Sequence, residues 1–377
     1  MSTTTQQTLV PLCDLAAQYA AIGDELHAAI DDVLASQRFI MGPQVGRLEE
    51  TIAQACGTDH AIGCSSGSDA LLLALMALEL EPDDEVITTP FTFFATAGAI
   101  ARLGARPVFV DILPETFCID PAAVQAAVGP RTRAILPVHL FGQCAAMDAI
   151  NQVAARHDLA VIEDAAQAIL ATDRGRAAGS LGTAGCFSFF PSKNLGATGD
   201  GGMVVTSDDR LAQRMRTLRV HGAEKKYFHE HVGANLRLDT LHAAVLLAKW
   251  PHLPDWNLRR NHAATTYRRL IEDSPIAQHV VLPHSRPDAG HVYNQFVVRV
   301  PDRDRIAAGL KDKGISTAIY YPLPLHLQEC FRELGYSKGS LPNSEQAADE
   351  VLALPIFPEL TLQQQESVVD GLVDLLT

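Results

Sequence analysis

The sequence predicts a layered α/β fold built on a largely parallel central sheet. Two observations predict it. Short apolar runs alternate with helical segments through the first two-thirds of the chain, and alternation at that spacing marks strand–helix–strand units. One run, Leu159 to Ile162, ends in the acids Glu163 and Asp164, as expected where a parallel strand hands over to a loop at the ligand-collecting edge of an open sheet.

Strands are expected near 60–64, 85–89, 106–112, 133–140, 159–163, 184–190 and 202–206, with helices over 68–80, 94–103, 120–128, 146–157 and 208–220. A further helix runs from about 239 to Lys249-Trp250, where Pro251 and Pro254 are expected to interrupt it, since proline removes a backbone donor and crowds the preceding turn. That pair is the expected hinge between a large domain, 12–250, and a smaller C-terminal α/β domain, 251–377. The small domain should hold an Arg-rich helix at 259–272, a strand at 291–300, a helix at 303–313, a strand at 315–321 and a terminal helical pair. The segment 12–40 is expected to pack with the small domain or with a partner subunit.

At 377 residues with 47% hydrophobic and 20% charged content, the chain reads as an ordinary soluble globular protein. It contains no apolar stretch of roughly 18 residues, the length a membrane span needs, and Met1 to Thr8 is polar without a basic region, unlike a signal peptide. The seven cysteines form no Cys-x-x-Cys pair, which suits reduced thiols in a cytoplasmic protein better than a disulfide frame or zinc site. A formal charge of −14 argues against nucleic acid as a partner. It does not fix the field inside a cleft, and Arg219, Lys225, Lys226 and Arg237 offer local cations unless they are simply solvated.

Three short motifs carry chemistry. Lys193 follows an aromatic run, Phe187 to Phe190, and precedes a glycine-rich turn, Gly196 to Gly202. An ammonium beside apolar surface loses hydration, so its pKa falls and the amine becomes nucleophilic, as a Schiff-base lysine requires. A surface lysine in a turn is the plain alternative. Asp164, facing a protonated pyridine nitrogen, would keep pyridoxal phosphate a good electron sink, and Gln167 could reach the same ring; alternatively Asp164 caps a helix. Gly63 to Ala70 leads into an apolar helix whose free amides would favour an anion. There Gly67 allows close approach and Ser68 adds a hydroxyl, or serves as an ordinary N-cap.

Gly63-Cys64-Ser65-Ser66-Gly67 also spells a nucleophile elbow, and a serine hydrolase could draw on 14 histidines. An elbow this early leaves few strands before it, and Lys193 and Asp164 would have no role.

Taken in order, the phosphate-type loop, Glu163-Asp164-Ala165-Ala166-Gln167, and Ser188-Phe189-Phe190-Pro191-Ser192-Lys193 with Gly199-Asp200-Gly201-Gly202 behind it resemble the DegT family of sugar-nucleotide aminotransferases. Met41-Gly42-Pro43, Thr88 to Thr96 and Gly233 to Asp239 fit as well, so the likeness runs from about Leu12 to the C-terminus. It implies the pyridoxal-phosphate-dependent aminotransferase type I fold, with the strand at 202–206 antiparallel. Lys193 would carry pyridoxal 5′-phosphate and move the proton, Asp164 would pair with the ring nitrogen, and Gln167 would contact the ring hydroxyl. Phe93 would stack on the ring, although flanking Phe91 and Phe94 leave core packing open. Gly67, Ser68 and Ser188 would hold the phosphate. Asn235 would reach it from the neighbouring subunit, in a homodimer with shared active sites.

For substrate, His139 to Cys144, His221-Gly222 with Lys225, and Asn235 to Thr240 resemble members acting on nucleotide-linked 3-keto sugars. L-Glutamate would be the donor and pyridoxamine phosphate the intermediate; a 4-keto sugar is the alternative. The product would be a 3-amino sugar nucleotide for surface polysaccharide, lipid A or antibiotic biosynthesis. Arg237, Lys225, Tyr320 and Tyr321 are the implied substrate contacts. Members handling the 2-acetamido uronate usually carry His-Tyr-Pro where this chain has Tyr320-Tyr321-Pro322, which favours a neutral hexose. Dehydratase relatives replace the lysine with histidine, so Lys193 argues against that chemistry. No added transmembrane or DNA-binding segment supports a regulator.

Overall fold

Seven strands form the central sheet of the computed structural model, which describes residues 9–377; the polar segment Met1–Thr8 lies outside the described residues. They are β1 (His60–Cys64), β2 (Glu85–Thr88), β3 (Arg106–Phe109), β4 (Thr132–Leu136), β5 (Ala160–Asp164), β6 (Ala184–Ser188) and β7 (Gly202–Thr206), in the spatial order β1-β7-β6-β5-β4-β2-β3. From β6 to β3 every pairing is parallel, and β7 runs antiparallel to both its neighbours. Strands β5 and β6 are buried along nearly their whole length because both faces of a parallel sheet are covered.

Helices cover the sheet: α1 (Leu15–Ser36), α2 (Pro43–Cys56), α3 (Gly67–Ala77), α4 (Ala95–Arg102), α5 (Pro121–Ala127), α6 (Met147–His157), α7 (Asp209–Leu218) and α8 (Thr240–Lys249). One apolar core joins α2, α6 and α8, including Leu48, Ile150 and Leu246. The other centres on α3, with Leu71, Leu73 and Leu75 fully buried or nearly so. Helix α1 lies along α8 and places Ile22 and Leu26 in the first of these cores.

Past α8 the backbone stays helical. Pro251 sits in a 3-10 turn, Trp250–His252, and Pro254 falls in the first turn of α9 (Leu253–Glu272). A first-turn amide has no intrahelical acceptor to lose, so proline is tolerated there, and α9 starts earlier than the expected 259. Helices α10 (Arg303–Asp312), α11 (Pro342–Glu350) and α12 (Leu362–Leu376) follow, with strands β8 (Phe296–Arg299) and β9 (Val351–Leu354) paired antiparallel. Tyr267, Phe296, Leu352 and Val368 form their core.

Two expectations fail in this part. The strand at 315–321 is absent: Ile315 and Ala318 make single bridges to Val10 and Ala353, and β8 takes its partner from 351–354 instead. The expected strand at 291–300 shortens to 296–299 because 292–294 are diverted to other contacts, with Val292 N–H donating to Gly142 O and the Val292 carbonyl accepting from Asn194.

Candidate active site

The carboxyl ends of β1, β2, β4, β5 and β6 open on one cleft of about 400 Å³, lined among others by Gly67, Ser68, Phe93, Asp164, Gln167, Ser188, Lys193, Tyr320 and Tyr321. Nine sequence-designated residues therefore meet in one place, seven from the strand ends of the sheet and the loops after them, and Tyr320 and Tyr321 from the C-terminal part.

At the phosphate-type loop, Ser66 is the N-cap of α3, its hydroxyl accepting from Asp69 N–H at 3.0 Å. The cap is thus Ser66, and Ser68 is free of that duty. The first turn leaves the Gly67 and Ser68 amides without intrahelical acceptors. A Cβ on Gly67 would stand 2.5 Å from the Ser188 Cβ, so only glycine lets the helix start approach β6 so closely. β7 packs as tightly on the other side, where a Cβ on Gly202 would stand 2.2 Å from Ser66 O. The Ser65 and Ser66 hydroxyls both donate to Asp69 Oδ2, at 2.7 and 3.0 Å. They meet a carboxylate and no histidine, which overturns the nucleophile-elbow reading.

Lys193 follows the end of β6 in a turn closed by its own N–H to Phe190 O. Burial pulls its pKa from the ordinary lysine value down to about 8, against the opposing attraction of Asp164. Asp164 ends β5 and is 5% exposed. Its Oδ2 accepts from Thr96 Oγ1 at 2.8 Å and its Oδ1 from Ala166 N–H at 3.2 Å. Desolvation raises the Asp164 pKa; the hydrogen bonds of Thr96 and Ala166, then Lys193 and His139, pull it back. It faces the cleft at the end of a strand and does not cap a helix.

Phe91 is fully buried, whereas Phe93 is 60% exposed on the cleft wall with its ring 6.4 Å from that of Tyr321. Phe94 packs on Phe331. Core packing thus claims Phe91 and leaves Phe93 open to a flat ligand. Gln167 is held by Phe141 N–H, which donates to its Oε1 at 2.6 Å, while its Nε2 donates to the Tyr321 hydroxyl at 3.4 Å.

Three designated residues lie apart. Asn235 is exposed, its backbone bridged to Val220. Arg237 is half-buried, bridged through its backbone to Cys64, and Lys225 is exposed with Nζ 4.9 Å from the Phe228 ring centre. None of the three lines the cleft of its own chain. Arg219 is no free cation: it is buried, with Nη1 donating to Glu49 Oε1 at 2.6 Å and to Gly63 O at 2.9 Å. His139 is fully buried too. Ala145 N–H donates to its Nδ1, which puts the ring proton on Nε2, 2.8 Å from Glu163 Oε2. Glu163 also accepts from the amides of Gly179, Leu181 and Gly182, so the pair braces the site from behind.

The sequence reading missed Thr92, Thr96, Asp200 and Gln295. Thr92, Asp200 and Gln295 line the cleft, and Thr96 bonds Asp164 from 68 positions away. The Thr88–Thr96 run stood out in the sequence, but no local pattern ties Thr96 to Asp164.

The profile of the DegT/DnrJ/EryC1/StrS aminotransferase family matches residues 20–373. The chain belongs to this family. It is 53% identical over 365 residues to a pleiotropic regulatory protein of Geobacillus stearothermophilus, covering 97% of this chain and 98% of the relative. It is 46% identical over 360 residues to UDP-N-acetyl-3-dehydro-alpha-D-glucosamine 3-aminotransferase of Acidithiobacillus ferrooxidans, covering 96% of each. The crystal structure of Streptomyces venezuelae DesV in complex with a ketimine intermediate superposes with a TM-score of 0.94 at 44% identity, over 97% of this chain and 98% of the other. The type I fold and the aminotransferase assignment stand on these matches. Among the described residues no helix is long and apolar enough to cross a membrane, and no cluster of side chains could hold a metal ion.

Proposed function

We propose that this aminotransferase moves the amino group of L-glutamate to C3 of a nucleotide-linked 3-keto hexose that is neutral at C6, using pyridoxal 5′-phosphate. The observation that carries the proposal is the pairing of Lys193 and Asp164 across one cleft, an amine made nucleophilic by burial and a buried carboxylate. The cleft suits the cofactor in three respects. A Cβ-free approach at Gly67, with Ser68 and Ser188 beside it, leaves room and donors for a phosphate. The exposed face of Phe93 offers a stacking surface, and Asp164 supplies a counter-charge for a ring nitrogen.

When bound, the cofactor's ring accepts the electron pair released at the reacting carbon. Lys193 Nζ would hold the cofactor and, when its amine is free, would move the proton at the reacting carbon. Asp164 keeps the ring nitrogen protonated, and Gln167, fixed by Phe141 and Tyr321, orients the ring hydroxyl. Asn235 reaches the phosphate of the neighbouring subunit's cofactor in a homodimer, and Arg237 and Lys225 grip substrate at the shared site. Tyr320 and Tyr321 border the sugar. The enzyme works in the cytoplasm.

Substrate position and charge rest on two supports. A relative sharing 46% identity is a 3-aminotransferase of a neutral UDP-linked 2-acetamido sugar, and Tyr320 offers no cation for a C6 carboxylate. The regulatory name of the 53% identical relative describes no chemistry, and the meeting of Lys193, Asp164 and Gln167 in one cleft favours catalysis. The test is amine formation from L-glutamate with a panel of 3-keto and 4-keto, neutral and uronate, UDP- and dTDP-linked sugars. A charged hydrogen bond is worth about 1.5–3 kcal/mol, so a dedicated uronate site would prefer the acid by ~10-fold or more. We expect the neutral 3-keto sugar to be used at least as well. Preference for the uronate overturns the charge, amination of 4-keto sugars alone overturns the position, and no amination at all overturns the enzyme reading.

A further inference from the structure

Behind Asp164 lies a pair of hydroxyls that the reaction above does not use. Thr96 Oγ1 donates to Asp164 Oδ2 at 2.8 Å, and Thr92 Oγ1 lies 2.9 Å from Thr96 Oγ1. Thr96 is fully buried and Thr92 is 2% exposed at the cleft lining. A hydroxyl has one proton to give. While Asp164 is ionised Thr96 must give that proton to the carboxylate, so Thr92 must donate to Thr96. The donation therefore runs Thr92 to Thr96 to Asp164, and the charge on Asp164 sets its direction.

The other groups around Asp164 cannot take over this task. Lys193 faces it across the cleft but is assigned to the cofactor. His139, on the segment after β4, directs its ring proton to Glu163. Cys186 on β6 and Tyr321 are both pushed towards their neutral forms, in each case by burial and then by the charge of Asp164. Among the described residues Thr96 is the one side chain donating to this carboxylate, and Ala166 N–H completes the set at a longer 3.2 Å. A buried carboxylate with too few donors takes up a proton instead.

We propose that Thr96, aligned by Thr92, is a positioning residue that keeps Asp164 ionised and in one rotamer facing the cleft. The consequence for the ring nitrogen rests on the function proposed above; the Thr96–Asp164 coupling does not.

Two experiments test it on the full-length chain. The first is thermal melting of cofactor-free protein across pH for wild type, Thr96→Val, Thr96→Ser and Asp164→Asn, and for Thr96→Val in the Asp164→Asn background. Asp164 titrates higher in the folded than in the unfolded chain, so its ionisation destabilises the fold progressively as pH rises through that interval. Removing the Thr96 donor raises the folded value further. The melting deficit of Thr96→Val should be greatest at neutral pH and shrink on acidification, and Thr96→Ser should restore most of it. The pH dependence should vanish in the Asp164→Asn background. A deficit of the same size at every pH overturns the proposal, as does a serine variant as pH-sensitive as the valine.

The second is the steady-state rate of reconstituted enzyme. A hydrogen bond to a charged group is worth about 1.5–3 kcal/mol, so Thr96→Val should lower kcat by ~10-fold or more with little change in KM for the sugar. An unchanged kcat overturns the positioning role. Full activity in Asp164→Asn would remove the ring-nitrogen contact, and with it the function of Thr96, whatever the melts show.

Discussion

The cleft floor and the segment 221–239 carry equally strong sequence motifs, yet the fold treats them in opposite ways. On the floor, Asp164, Gln167, Glu163 and His139 all find hydrogen-bond partners within the chain. In the segment the backbone is just as well tied, with His221 N–H on Ala234 O, and Glu230 and His231 N–H on Gly222 O. Its motif side chains are not: among the described residues Lys225, Asn235 and Arg237 have no hydrogen-bond partner for their side chains, and Tyr227, Phe228 and Val232 are 80%, 62% and 94% exposed. Exposed apolar groups beside unmatched polar ones are the kind of surface that meets another molecule. In the function proposed here, that is the second subunit's cleft.

The largest effect that could break this contrast lies on the floor. Lys193→Ala should abolish transamination, because no other described lysine lines the cleft, and cofactor should no longer be fixed to the protein by borohydride. Wild-type turnover, or a pyridoxyl label on another lysine, would refute the assignment. Asp164→Asn should follow, retaining some cofactor but losing ~10²-fold or more in rate, since a neutral amide gives up the electrostatic stabilisation that preorganised charge supplies. Near-normal kcat would make Asp164 a merely structural residue.

A smaller and sharper effect lies in the segment. If Asn235 serves the partner's site, a Lys193→Ala subunit and an Asn235→Ala subunit should each have little activity alone but complement when mixed. The heterodimer then holds one site with both an intact lysine and an intact asparagine. Sites that are complete within one chain would show no recovery, and a folded monomer active at assay dilution would refute sharing altogether.

The floor was legible because each of its residues sits beside a local cue: an acid ending an apolar run, a lysine after an aromatic strand, a glycine opening a helix. Long-range partners had no such cue. Thr96 meets Asp164 across 68 positions, and Ser66 rather than Ser68 caps α3, next to a Gly67 that packs closely on the distant Ser188. The C-terminal part was read less well. Residues 315–321 are a mixed run with Ser316 and Thr317, whereas Val351–Leu354 is wholly apolar, and it is the second that pairs with Phe296–Arg299. Helix α8 does end at Lys249, as Pro251 and Pro254 predict, but the interruption is only the 3-10 turn Trp250–His252, because Pro254 is accommodated in the first turn of α9.

The last test compares two lysines within the first region, and its effect is the smallest. Burial lowers the pKa of both Lys193 and Lys249, but their surroundings differ. Lys249 is 6% exposed and its Nζ donates to Gly196 O at 2.8 Å, bracing the loop that follows Lys193. Lys193 opens on the cleft and titrates at about 8. An amine attacks a carbonyl only when unprotonated, so capture of pyridoxal 5′-phosphate by cofactor-free protein, followed by borohydride, should quicken as pH rises and level off above about 8. The label should fall on Lys193 and never on Lys249, whose amine is already engaged. Stability gives the matching sign. The unfolded chain holds a lysine proton that the folded chain has lost between about 8 and 10.5, so stability should rise with pH across that window. Lys193→Ala should flatten part of that rise, leaving what Lys249 contributes. A capture rate that keeps climbing to pH 10.5, the ordinary lysine value, would mean that burial does not activate Lys193.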